Sequence, residues 1–318
     1  MRFAISLPQA CPDGSFDPAA FAAYVSRAEE LGFESAWAMD QTFGRAPRLN
    51  ALETMTFAAA CSRQIRIGCS VFISPLHQPV QLAKSLSTLD QLSRGRLEAG
   101  FGSGGGHRMF SAFGLTGDHL ISRFTEGLAV MKALWTEPEV TFDGRFYQLR
   151  GAAMEPKPVQ KPHPPVWLGG SAPPAVRRAA RIAGGFFGAG SSTTAAFADQ
   201  VKVLRAALAE HGRDPAAFPV AKRIYIAIDD DADRARARMA DALIGVYGPA
   251  FGSTLMPGWM QAIATCNPLN WAVQAGRDAL NAHPDWSAVG ARLGGLLVLA
   301  VVCVALSVAT FRSYQKSV

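Results

Sequence analysis

Cysteine is sparse in this sequence and its spacing points to no chemistry. Cys11, Cys61, Cys69, Cys266 and Cys303 form no CxxC pair and no even framework. That argues against a disulfide scaffold, yields no metal-ligating set, and predicts reduced, mostly buried thiols in a reducing compartment. The opening MRFAISLPQA lacks the basic stretch and apolar core of a secretory leader. Charge of one sign is gathered nowhere. Lys and Arg number 31 against 25 Asp and Glu, a formal +6, yet the cations are scattered, with Arg177, Arg178 and Arg181 the densest group. A basic stripe is missing, so no nucleic-acid partner is expected. Hydrophobic residues are not scarce: at 49%, against 18% charged, they argue against disorder and predict a large core.

What the sequence does have is alternation. Strand-like runs at 2–8, 35–40, 65–75, 96–106, 165–170, 185–190 and 220–229 are each followed by a helix-like run. The helices are read at 18–31, 52–63, 79–93, 120–136, 173–183, 194–211 and 231–247. The first has Asp17 as N-cap, Pro18 at its first position and Gly32 as its stop, with Phe21, Val25, Ala28 and Leu31 on one face. The stretch 140–164 reads as irregular. Such a βα repeat without a strand-order reversal predicts an α/β fold, a TIM-like (β/α) barrel over residues 1–248 that lacks its eighth unit.

Beyond 248 the composition changes. Residues 249–318 open with a Trp-, Asn-, Pro- and Met-rich amphipathic stretch and lead into LGGLLVLAVVCVALSVATF, Leu293–Phe311. That run carries no charge, and at about 1.5 Å per helical residue it is long enough to span a bilayer. The expectation is one transmembrane helix, which would attach an otherwise cytoplasmic barrel to a membrane.

In parallel barrels chemistry sits where strands end. AMDQTF places Asp40 and Gln41 after the second strand, and FGSGGGHR places its glycines and His107 after the fourth. LGGSAPP ends the fifth strand and opens a helix, whose N-terminal N–H groups suit a phosphate. Because Pro173 and Pro174 lack N–H groups, the donors expected are Gly169, Gly170, Ser171, Ala172, Ala175 and Val176. GAGSST, with Gly188, Ser191 and Thr193, sits at the next strand end and could add hydroxyls.

Residues 1–248 resemble the luciferase-like monooxygenase superfamily, the flavin- or deazaflavin-dependent barrel oxidoreductases. The resemblance is collinear through AEELGFESAWAMDQ, IRIGCSVFISPLHQPVQLAKSLSTLDQLSRGRLEAGFGSG, RFTEGLAVMKALWTEPEVTFDGRFYQL and PKPVQKPHPPVWLGGSAPPAVRRAARIAGGF. It implies hydride transfer between reduced coenzyme F-420, or alternatively FMN, and a small organic substrate. GCSVFISP favours F-420. The resemblance also places the ring near Asp40, with Ser103 and Gly104 beside it, and a non-proline cis peptide at Ser70–Val71 behind it. The phosphate would fall on 169–176 and 188–193, and a homodimer is implied. The catalytic positions are then Gln41 and His107. Many relatives have His where Gln41 stands, and an aromatic and a Glu where Gly105 and Met109 stand, which leaves the proton donor unassigned. Residues 250–318, with MPGW, NP and the closing FRSYQKSV, resemble the end of a type-2 ABC-transporter permease of the drug-export kind. An inactive fusion of the two pieces is the alternative reading.

Overall fold

The structure, a computed structural model, describes residues 2–11, 13–44, 47–104 and 107–247, together with 272, 286–287, 289–298 and 300. The chain divides into two compact units, Met1–Ile224 and Tyr225–Val318.

The first unit is the βα repeat. In chain order it runs β1 (Ala4–Ser6), α1 (Pro18–Glu30), β2 (Ser35–Ala38), α2 (Ala51–Ala60), β3 (Arg66–Cys69) and β4 (Phe72–Ile73). Then come α3 (Pro79–Leu92), β5 (Leu97–Gly102), α4 (His107–Ala112), α5 (Leu120–Thr136), β6 (Val140–Asp143) and β7 (Gln148–Ala152). β8 (Val166–Gly170), α6 (Pro173–Ile182), β9 (Gly185–Gly188), α7 (Thr194–Glu210) and β10 (Val220–Lys222) complete it. The strands β1-β2-β3-β5-β8-β9-β10 form one parallel sheet in that order, and β4 extends the pairing with β5.

The sheet is strongly curled. Trp37 on β2 and Phe187 on β9 are separated by three intervening strands, which in a flat sheet would hold them close to 20 Å apart at about 4.8 Å per strand. Their ring centroids are 4.7 Å apart, with Trp167 of β8 against both. Alternation then assigns the faces. Ala36, Ala38, Ile67, Leu97, Ala99, Phe101, Val166, Leu168 and Phe186 point outward into a core shared with the helices. Trp37, Gly68, Glu98, Gly100, Gly102, Trp167, Gly169, Gly185 and Phe187 form the concave lining. Near the strand starts Trp167 Nε1 donates to Glu98 at 2.5 Å, and Glu98 also pairs with Arg66.

Local signals worked as expected for α1. Asp17 accepts from the N–H groups of Ala19 and Ala20 at 2.9 and 3.0 Å, and Phe21, Val25 and Ala28 are buried. Leu31 departs from that expectation: the helix ends at Glu30, and Leu31, as its C-cap, is 59% exposed. The STLDQLSRGR motif that carries much of the family resemblance has a scaffolding role. Asp90, fully buried, accepts from Gln160 N and Nε2 at 3.0 and 2.8 Å, and Arg96 donates to the carbonyls of Ala59, Ser62 and Ile65.

Three stretches differ from the sequence reading. The region read as irregular contains the antiparallel pair β6–β7. A short helix, α4, follows the glycine-rich loop. Of the expected strand 220–229 only Val220–Lys222 pairs, and Ile226 and Ile228 in the second unit are 73% and 86% exposed. A parallel strand needs a neighbour to satisfy its N–H and C=O groups, and β10 has one neighbour among the described residues.

In the second unit, α8 (Ala232–Tyr247) begins where Asp229 pairs with Arg234 and Arg238 at 2.5 and 3.3 Å. Of the expected transmembrane run, 293–298 and 300 are helical, and 299 and 301–311 lie outside the described residues. Among the described residues no helix is long and apolar enough to cross a membrane. Most of the permease-like stretch 249–292 also lies outside them.

Candidate functional site

The C-terminal ends of β2, β3, β5 and β8 meet around a bulge. After Cys69 the chain leaves β3, passes through Ser70 and Val71 with a cis peptide between them, and rejoins the sheet as β4. The expected cis bond is present at the expected pair.

The bulge carries Val71 over the concave lining. A methyl on Gly102 would lie 2.7 Å from Val71 Cγ2, and one on Gly169 would lie 3.2 Å from Val71 Cγ1. Two strand-end glycines thus make room for this one side chain, which stays half-exposed as an apolar shelf. Gly104 closes the shelf on the β5 side at φ +72°, with Ile73 Cγ2 and Phe110 against it. That combination of positive φ and close packing suits glycine alone. Ser103 stands half-exposed beside it, its hydroxyl on the Gly104 carbonyl at 3.5 Å.

Polar groups rim the shelf. Asp40, only 7% exposed, accepts from Ile73 N–H at 2.9 Å, and His77 Nε2 lies 2.8 Å from the same carboxylate oxygen. With that carboxylate ionised, the imidazole carries its proton on Nε2. Opposite, Arg223 donates to Ser70 O and Oγ at 3.2 and 2.7 Å and reaches the Met39 sulfur at 3.7 Å. Beneath lies Cys69, whose thiol pKa is pushed well up, first by burial and then by the charge of Asp40.

The remaining expected residues are distributed as follows. Gln41 follows Asp40 and turns back to donate to Phe43 O at 3.2 Å. His107 begins α4, and its side chain lies outside the described residues. Ser171 and Ala172 are exposed at the turn into α6, and Ser191 and Thr193 are exposed after β9. Gly170 packs against Ala175 and Gly188 against Phe197. Ala175 and Val176 direct their N–H groups to Ala172 O at 2.9 and 3.1 Å, closing the first turn of α6, and Val176 is fully buried. With prolines at the two preceding positions, the helix end has few donors to offer. What is left is the turn itself, Ser171–Ala172, and the hydroxyls after β9, of which Thr193 also caps α7 through Ala196 N–H at 3.2 Å.

His77 and Arg223 were missed in the sequence. His77 sits in SPLHQP, a run that reads as a strand end, and Arg223 sits in AKRIYIAID, a run that reads as plain strand. Neither side chain's destination is a local property.

This strand-end arrangement can be set beside known proteins. Residues 1–288 match the family described as luciferase-like monooxygenase. The chain belongs to this family. The match takes in residues 249–288, which the sequence reading assigned to a permease-like segment. Among curated relatives, the FMNH(2)-dependent dimethylsulfone monooxygenase of Pseudomonas putida is 29% identical over 222 residues, 68% of this chain and 60% of that protein. The F420-dependent glucose-6-phosphate dehydrogenase of Beutenbergia cavernae is 35% identical over 182 residues, 54% of this chain and 52% of that protein. The chain therefore spans little more than half the length of either. Among solved structures, monooxygenase RslO1 from Streptomyces bottropensis superposes with a TM-score of 0.68 at 25% identity, over 77% of each chain.

Proposed function

We propose that this luciferase-like chain is an oxidoreductase that moves a hydride between reduced coenzyme F-420 and a small organic substrate, with FMN as the alternative cofactor. The observation that carries the reading is the Ser70–Val71 bulge, with Val71 over Gly102 and Gly169 and polar groups on both sides. A flat ring needs an apolar support without long side chains in front of it, and Val71 between two glycines has that form. A relative named as F420-dependent and one named as FMNH(2)-dependent are both similar to this chain.

The residues present fit such a cofactor, whose deazaflavin or flavin ring would supply the hydride chemistry when bound. In this proposal Val71, Ser103 and Gly104 support and flank the ring. Ser171, Ala172, Ser191 and Thr193 take its phosphate, with Gly169, Gly170 and Gly188 keeping the approach clear. Asp40 is a positioning residue: it holds His77 and the Ile73 backbone at the rim. His77 can hold or release a proton there, the role that no residue took in the sequence reading. Gln41 can donate a hydrogen bond but cannot titrate, and His107 is a second proton carrier from the β5 loop. The substrate is a small molecule entering over the shelf.

Titrating the full chain with F-420 and with FMN, each followed by fluorescence, tests the reading. Micromolar or tighter F-420 binding is expected. Binding of FMN without F-420 would reassign the cofactor, and binding of neither would overturn the proposal.

A further inference from the structure

At one corner of the rim Arg48 feels the charge of Arg223, and among the described residues no carboxylate pairs with either. Arg48 lies on the segment that returns from the β2 loop, and its backbone is fixed by an antiparallel bridge to Ala10. Cys11 N–H donates to Pro47 O at 3.0 Å and Leu49 N–H to Gln9 O at 2.9 Å. The buried Gln9 side chain ties this segment to the β2 end: Nε2 donates to Met39 O and Leu49 O at 3.1 and 3.0 Å, and Oε1 accepts from Met39 N–H at 2.6 Å. Met39 is in turn the residue whose sulfur touches Arg223. Arg48 and Arg223 are thus brought to one corner of the mouth by a single hydrogen-bonded stitch.

Neither has a counter-ion among the described residues. Among the described residues no carboxylate lies within ion-pairing distance of Arg48 or Arg223, and the nearby Asp40 is already matched to His77 and Ile73 N–H. Arg48 Nε is buried without a hydrogen-bond partner. Burial, and then the charge of Arg223, lowers the pKa of Arg48. Lys222, the next cation along, faces away, donating to Ala189 O at 2.9 Å over the Phe197 ring. Holding two cations together, one with an orphaned donor, costs the folded state free energy that an anion would recover. A planar guanidinium presents donors in the fork that a carboxylate, sulfonate or phosphate accepts.

We infer that Arg48 and Arg223 form an oxyanion site at the rim of the shelf and that it binds a carboxylate, sulfonate or phosphate group of the substrate. This rests on the oxidoreductase reading for the word substrate, and on the arginine pair alone for the anion. The corner is distinct from the Ser171–Thr193 region assigned to the cofactor phosphate.

Calorimetric titration of the full chain with inorganic sulfate and with acetate tests it, with and without saturating F-420 or FMN. Saturable binding is expected, weakened at least about tenfold in Arg48→Gln and in Arg223→Gln. It should be unaltered in Arg27→Gln, a surface control paired with Glu30. Should Arg223→Gln fail to fold, as judged by circular dichroism, Arg48→Gln decides alone, since its Nε makes no hydrogen bond to lose. Absence of saturable anion binding, or binding insensitive to Arg48, overturns the inference. So does displacement of sulfate by FMN but not by riboflavin, because the corner would then hold the cofactor's phosphate. Failure of the cofactor reading looks different: sulfate still binds through Arg48, and neither F-420 nor FMN does.

Discussion

At the scale of single residues, the most consequential group is Asp40. Its carboxylate is buried and holds both Ile73 N–H and His77. Asp40→Ala leaves both without their acceptor. Cofactor binding or turnover is expected to fall at least about tenfold, equivalent to ~1.4 kcal/mol, as read by fluorescence titration and steady-state rates. Values unchanged from the parent would show that Asp40 only caps a turn. His163 has a separate effect, on stability against pH. Burial lowers its pKa, the charge of Lys132 adds to this, and its Nδ1 contact with Pro164 O at 2.8 Å opposes it. The folded state therefore favours neutral imidazole, and the unfolded chain takes up the proton first. That stability is present above the unfolded value, about 6.5, and is lost as pH falls through the lower folded value. Thermal melts from pH 7.5 downward should show Tm declining below about pH 6.5, and His163→Gln should flatten that part of the curve.

At the scale of elements, close strand approach and one carboxylate decide how β3 is seated. A methyl on Gly100 of β5 would collide with the Cys69 carbonyl oxygen, which is backbone and cannot turn aside. Gly100→Ala is expected to cost at least about 1–3 kcal/mol in urea unfolding. Gly169→Ala, facing the movable Val71 Cγ1 at 3.2 Å, should cost less. Equal costs would mean that the bulge is as rigid as the strand. Glu29, near the end of α1, accepts from the N–H groups of Arg63, Gln64 and Ile65 just before β3. Burial works against its charge, but the three backbone donors outweigh it and hold its pKa below the ordinary carboxylate value. Its contribution is present above that ordinary value and is lost as pH falls through the depressed one. Glu29→Ala should destabilise the fold by about 1–3 kcal/mol at neutral pH, and the difference from the parent should shrink in acid.

At the scale of the whole molecule, the curled sheet has two ends. β1 and β10 each pair with one neighbour among the described residues, over three residues apiece. Strands with one open side lose amide protection through local opening, whereas β5 and β8 are paired on both sides. Hydrogen exchange read by mass spectrometry should show β5 and β8 amides outlasting those of β1 and β10 by at least about tenfold. Equal protection would mean that both edges are covered by another strand. The position of this opening bears on the proposed site, since Arg223 follows β10 directly and anchors on Ser70 across the concave face. Loosening of that edge would release one side of the rim.

The sequence by itself determined the βα repeat, the extents of most helices, and the parallel barrel-like sheet. Each of these follows from short-range periodicity, caps such as Asp17, and Pro and Gly punctuation. Motif resemblance added the family and the cis bond at Ser70–Val71. It also placed Asp40, Ser103 and Gly104 at the strand ends where the shelf lies. Tertiary structure alone decided which polar groups meet there. His77 reaches Asp40 over 37 residues through the segment that follows the neighbouring strand β3, and Arg223 reaches Ser70 over 153, a contact from β10 that depends on the curl of the sheet. Only the folded first turn of α6 showed Ala175 and Val176 spending their N–H groups within the helix. A run such as AKRIYIAID carries strand propensity along its whole length, but a strand forms only as far as a partner offers its own N–H and C=O groups, and here that partner ends at Gly188.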